Sequence, residues 1–139
     1  MIRACRQLEL AVHARDESRP LTDALEILAT REIDVIAHSL YADWDGMVLL
    51  VVTEDAPRAK RALEATGFTC ETNPVILVEA REEVGAVAFL GAQLYRAGIP
   101  IQYSHMATSS DDMYFAVFKT SDDERALRAL ESEHFVQAA

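Results

Sequence analysis

The sequence predicts an α+β fold built from two β-α-β-β-α-β units in tandem, each an antiparallel sheet with both helices on one face. Three observations lead there. Ala14-Arg15-Asp16-Glu17 recurs as Ala80-Arg81-Glu82-Glu83, an offset of 66 positions that also carries Leu21 onto Val87, Leu28 onto Leu94 and Ile33 onto Ile99. Later the offset is 67, with Thr53 on Thr120, Leu63 on Leu130 and Phe68 on Phe135. The hydrophobic period also switches between strand-like and helix-like in the same order in both copies. A repeat of this length fixes the structural unit before any element is assigned.

Each copy opens on a strand, Leu8–Val12 by alternation and Val75–Val78 by a short β-branched run. A helix follows. Leu21, Leu25 and Leu28 share one face, Val87, Leu90 and Leu94 repeat the stripe, and Ser18 with Pro20 marks the first helix start. Ile33–Tyr41 and Met47–Thr53 read as two strands joined at Trp44-Asp45-Gly46, a hairpin turn by composition, and Ile99–Met106 with Met113–Thr120 is the matching pair. The residue gained between the copies lies near Asp43-Trp44-Asp45-Gly46 and Ser109-Ser110-Asp111-Asp112, where insertion costs least. Asp55–Ala65, with Pro57 in its first turn, and Asp122–Ser132 are helices opened by acidic residues. Phe68–Thr72 and Phe135–Gln137 close the copies as strands.

This order is that of two ferredoxin-like split β-α-β units, with domains at residues 1–72 and 73–139. No Gly/Ser-rich linker separates them, since the first copy runs through Asn73-Pro74 directly into the second. One such unit alone buries only about 60% of its unfolded surface, so the pair is expected to lean together, with sheet edges available to other copies.

Thirteen basic against 23 acidic residues give a net charge of −10, which weighs against nucleic acid and anionic membrane as partners. The longest aliphatic run, Met47–Val52, is far short of the roughly 20 residues of a membrane span. With neither a secretory signal nor a disulfide pattern in Cys5 and Cys70, a cytoplasmic protein is expected. His13, His38, His105 and His134 lack metal-ligand spacing, and neither metal nor cofactor is called for.

Glu83-Val84-Gly85-Ala86-Val87, followed by Leu94-Tyr95-Arg96-Ala97-Gly98-Ile99-Pro100-Ile101, is similar to the pattern of the ACT domain: a turn glycine, an apolar helix residue, then Leu and Gly-Ile entering strand two. Each copy resembles an ACT domain, and the chain from about Gln7 to Leu130 resembles the small stand-alone tandem-ACT proteins. Two positions depart from that pattern. The turn glycine, Gly85 in the second copy, is Arg19 in the first, and the strand-two asparagine is Asp34 and Pro100. Glycine permits positive φ and close backbone approach, so the second loop is the better candidate.

The resemblance implies a non-catalytic regulatory module that binds an amino acid or similar small metabolite where the loop after strand one meets strand two of a neighbouring copy, and so modulates a partner enzyme. The implied contacts are Arg81, Glu82, Glu83, Val84, Gly85, Ala86, Pro100, Ile101 and Gln102, with Asp16, Ser18, Arg19 and Asp34 from the first copy. Physically, a helix N-terminus offers unpaired N–H groups to a carboxylate, and adjacent acids suit an ammonium group. Those carboxylates also serve as caps or solvated surface, and Arg15 and Arg81 as surface ion-pair partners. A homodimer bringing four copies together is the expected assembly.

The rivals follow from the same order of elements. A ligand-free interaction or oligomerisation module fits the loss of glycine at Arg19. RNA-recognition modules share the topology but need basic surroundings. Catalysis would need a convergent acid, base or nucleophile set, and the sequence has no G-x-S-x-G, phosphate-binding glycine loop or HExxH.

Overall fold

The protein, here a computed structural model, is described over residues 2–14, 20–108 and 111–131. Its elements are β1 (Ile2–Ala14), α1 (Thr22–Thr30), β2 (Val35–Asp43), β3 (Gly46–Thr53), α2 (Ala56–Ala65), β4 (Phe68–Arg81), α3 (Ala86–Arg96), β5 (Ile101–Thr108), β6 (Met113–Thr120) and α4 (Asp123–Glu131). The expected order of strands and helices is present, and the fold is α+β. The expected closing strand Phe135–Gln137 lies outside the described residues, as do Ser109 and Ser110.

The chain divides into two units. Leu8–Asn73 forms one, while the residues before Leu8 join those from Pro74 onward in the other. A cut at 72/73 would leave residues 1–7 with the first copy, whereas the structure groups them with the second. The reason is strand length: β1 has 13 residues and β4 has 14, each more than two and a half times the expected strand, so each contributes to both units. Asn73-Pro74 is not a break but the middle of β4.

In the first unit the strand order is β2-β3-β1-β4. β3 runs antiparallel to both neighbours, with Leu10 opposite Val51 and Leu40 opposite Leu49. Leu10, Val12, Leu49, Val51, Phe68 and Cys70 face α1 and α2, where Ala24, Leu28, Ala59 and Leu63 complete the core. The helix stripe differs slightly from expectation. Ala24 rather than Leu25 is fully buried, and Leu21 is the N-terminal cap residue, without a side-chain bond. Ser18 lies outside the described residues.

In the second unit the order is β1-β4-β6-β5. Ile76 pairs with Phe118 and Val78 with Ala116, while Ile2 and Ala4 of β1 pack against the core of Ile76, Val78, Leu90, Leu94, Phe118 and Leu130. Residues 2–7 thus stand beside β4 where, in the first unit, residues 68–73 stand beside β1. On α3 the buried stripe is Ala86, Leu90 and Leu94. Val87 is 50% exposed, because the left-handed Gly85 that precedes α3 turns the first helical residue, Ala86, into the core.

Smaller features repeat with fidelity. The Asp55 carboxylate accepts from Arg58 N–H at 3.1 Å, and the Asp122 carboxylate from Arg125 N–H at 3.2 Å, so both second helices carry the expected acidic cap. Arg58 and Arg125 each donate through a terminal guanidinium nitrogen, at 2.6 Å, to the main-chain oxygens of Arg31 and Ala97 respectively. Each outer strand opens with a bulge: the pairing slips between Val35 and Ala37 in β2 and between Ile101 and Tyr103 in β5. Trp44-Asp45 forms the two-residue turn of the first hairpin, closed by the Asp43–Gly46 pair.

Candidate functional site

The β4–α3 loop is built from both ends. Arg81, the last residue of β4, pairs with Met113 of β6, and Glu82 N–H donates to the Asp112 carbonyl at 2.8 Å, anchoring the loop to the start of β6. Glu83 C=O accepts from Ala86 N–H at 3.1 Å, and Gly85 C=O from Phe89 N–H at 2.9 Å. Gly85 has φ 88° and ψ −6°, a left-handed cap that a β-carbon would strain, so glycine is required here for the turn. Val84 stands out at 89% exposure, and Arg81 and Glu82 are exposed as well. Arg81 makes no ion pair among the described residues.

Sequence reasoning did not assign Tyr114 to this loop. It follows Met113 at the start of β6, is 2% exposed, and packs with Ala80 and Ala86, the residues on either side of the loop. Its hydroxyl is buried without a hydrogen-bond partner among the described residues. Burial, and then the negative charge of Glu83, push its pKa above the ordinary tyrosine value. The signal was present in the alternation of Met113–Thr120, which puts Tyr114 on the helix-facing side with Ala116 and Phe118.

Pro100, Ile101 and Gln102 lie elsewhere. Ile101 pairs with Thr120, whereas Arg81 pairs with Met113, seven positions away along β6. At roughly 3.3 Å per residue that is about 23 Å, so within one unit the two halves of the expected site stand at opposite ends of the sheet. All three residues are exposed, and Gln102 is the extra residue of the β5 bulge. Asp34, at the matching place before β2, is exposed beside a groove of about 410 Å³ shared with Leu25, Ala29, Glu32, Ile33 and Val35. Arg15, Asp16, Glu17, Ser18 and Arg19 lie outside the described residues. Among the described residues no group of three or more His, Cys, Asp or Glu is placed to hold a metal ion, and no helix is long and apolar enough to cross a membrane.

Fold and loop together define a structural class: duplicated β-α-β-β-α-β proteins with the tandem-ACT fold. Among solved structures the chain is similar to protein BT0572 from Bacteroides thetaiotaomicron, with a TM-score of 0.80, 22% identity, and coverage of 93% of this chain and 89% of that one. It is also similar to the regulatory subunit of aspartate kinase from Thermus thermophilus in its ligand-free form, at TM-score 0.60 and 17% identity over 94% of this chain and 95% of that one. The corresponding subunit from Thermus flavus gives 0.60 and 20% over the same shares. At these identities the likeness is one of fold, and the tandem-ACT fold that the resemblance implied is present. No protein-family model matches the sequence, and no curated protein does.

Proposed function

We propose that this protein is a non-catalytic regulatory module that binds an amino acid or a similar small zwitterion between ACT units and thereby modulates a partner enzyme. The observation that carries the reading is the β4–α3 loop: a left-handed Gly85 cap, exposed Val84, and a buried Tyr114 hydroxyl without a hydrogen-bond partner among the described residues. The first-turn N–H groups of α3 beyond Ala86 suit a carboxylate, and Glu82 and Glu83 suit an ammonium group. Since Pro100, Ile101 and Gln102 lie about 23 Å away within the unit, the other wall comes from the start of β2 or β5 in a neighbouring copy, where Asp34 borders its groove. A ligand contacting two copies favours one arrangement of them, a coupling of about 1–3 kcal/mol in typical cases. The assembly we infer is a cytoplasmic homodimer.

Thermal denaturation with each of the twenty amino acids tests this directly. A ligand at 100 times its Kd adds about 2.7 kcal/mol to stability. Silence from all of them at millimolar concentration would transfer the assignment to a ligand-free interaction module. One observation favours that second reading: Leu40 and Met47, on one face of the β2–β3 hairpin, and Trp44 in its turn are exposed, Trp44 at 94%.

A further inference from the structure

The first unit holds a cluster that the amino-acid site does not use. Arg31, the C-terminal cap of α1, and Arg58 and Arg61, one turn apart on α2, line with Ile33 and Ala62 an opening of about 180 Å³. Arg58 is held over the end of α1 by its 2.6 Å bond to the Arg31 carbonyl. None of the three guanidinium groups forms an ion pair among the described residues. The acids on the same helix are engaged elsewhere, since Asp55 caps the Arg58 N–H and Glu64 pairs with Lys60 at 3.7 Å. Three like charges converge on one opening in a chain of net charge −10. Such a gathering is unfavourable until an anion enters it.

The second unit is an internal control. Arg125 repeats the bond of Arg58, to the Ala97 carbonyl at 2.6 Å, but Ala97 stands where the first unit has Arg31. Arg128, the counterpart of Arg61, is bound to Glu124 at 2.8 Å, and the counterpart of Glu124 is Pro57. One scaffold is thus neutralised in one copy and left open in the other. Pro57 also serves the first turn of α2, but Arg31 has no comparable structural task, because the bond it receives uses only its main-chain oxygen.

We infer that the Arg31-Arg58-Arg61 cleft is a second binding site, specific to the first unit, for a small multiply charged oxyanion: the phosphate or carboxylate groups of a soluble metabolite. Guanidinium groups present paired donors that match the oxygens of either group, and their weak hydration makes the exchange with water favourable. The opening admits a head group of that size rather than a whole nucleotide. This site is independent of the loop at Gly85, so each stands or falls separately.

The test is a titration of the full chain with pyrophosphate and, in a separate arm, with citrate, followed through the arginine side-chain N–H resonances at low and at moderate salt. Saturable shifts at Arg31, Arg58 and Arg61 with a Kd below about 1 mM support the site, and the arm that saturates names the class. Arg61→Ala and Arg31→Ala should each weaken binding about tenfold, as expected for one charge-assisted hydrogen bond, while Arg128→Ala in the second unit should leave it unchanged. All three replacements are at exposed positions, and an unchanged melting temperature verifies their folding. The inference is overturned if neither anion saturates, or if Arg128→Ala weakens binding as much as Arg61→Ala, which would mark general attraction to basic surface.

Discussion

Glu32 and Gly98 occupy the same position at the ends of α1 and α3, and both are left-handed, with φ of 56° and 70°. Each completes the same helix stop: Ile33 N–H donates to Leu28 C=O at 2.9 Å, and Ile99 N–H to Leu94 C=O at 3.0 Å. The second copy uses the residue suited to this backbone, and the first bears strain. Glu32→Gly is expected to stabilise the protein by about 0.5–1 kcal/mol, read from the urea midpoint. Gly98→Glu should destabilise it by a similar amount, because nothing lies within 4 Å of an added β-carbon and only the backbone objects.

Gly85→Arg tests the β4–α3 loop. At φ 88° the substitution costs about 1–2 kcal/mol of backbone strain, leaving a folded protein of lower melting temperature. Binding of any amino acid found by thermal shift should disappear. Retained affinity in calorimetry would clear the loop of contact with ligand.

Tyr114→Phe removes a hydroxyl that is buried without a partner among the described residues. The unliganded protein should be unchanged or more stable by about 1 kcal/mol. If the hydroxyl meets ligand, the same variant binds more weakly. A clear loss of unliganded stability would mean that the hydroxyl already has a partner.

Cys70 is expected to contribute to the alkaline limb of stability. Burial raises its pKa from 9.0 to about 11, Glu64 adding to the rise and Lys60 opposing it. The thiol therefore keeps its proton longer in the folded chain than in the unfolded one. Its contribution is complete below pH 9 and is lost as pH rises through about 11, with Tyr114 acting in the same direction above 10. Urea midpoints measured across this range should fall, and Cys70→Ala should flatten the part that begins near pH 9.

The two cysteines should also part in reactivity. Cys5 is exposed and Cys70 buried, and both are free. A thiol reagent at neutral pH should label one site quickly, and Cys5→Ser should remove that fast phase.

The order of elements, the acidic caps at Asp55 and Asp122, and the hairpin turn at Trp44-Asp45 were legible in the sequence because they depend on neighbours a few residues apart. The turn role of Gly85 came from the resemblance, and its lack of a side chain permits the left-handed φ found there. Other features joined distant residues, and no local pattern announced them. Alternation identifies a strand but not its partner, so Ile2 and Ala4 gave no sign that they complete the core of Ile76 and Val78. Likewise, Arg31 and Arg58 are 27 residues apart, and only the packing of α2 against α1 makes them neighbours. The same physics separated Arg81 from Ile101: the antiparallel register sends one to each end of β6. Local chemistry determined what the pieces of this protein are, and long-range pairing decided which unit owns them and which side chains meet.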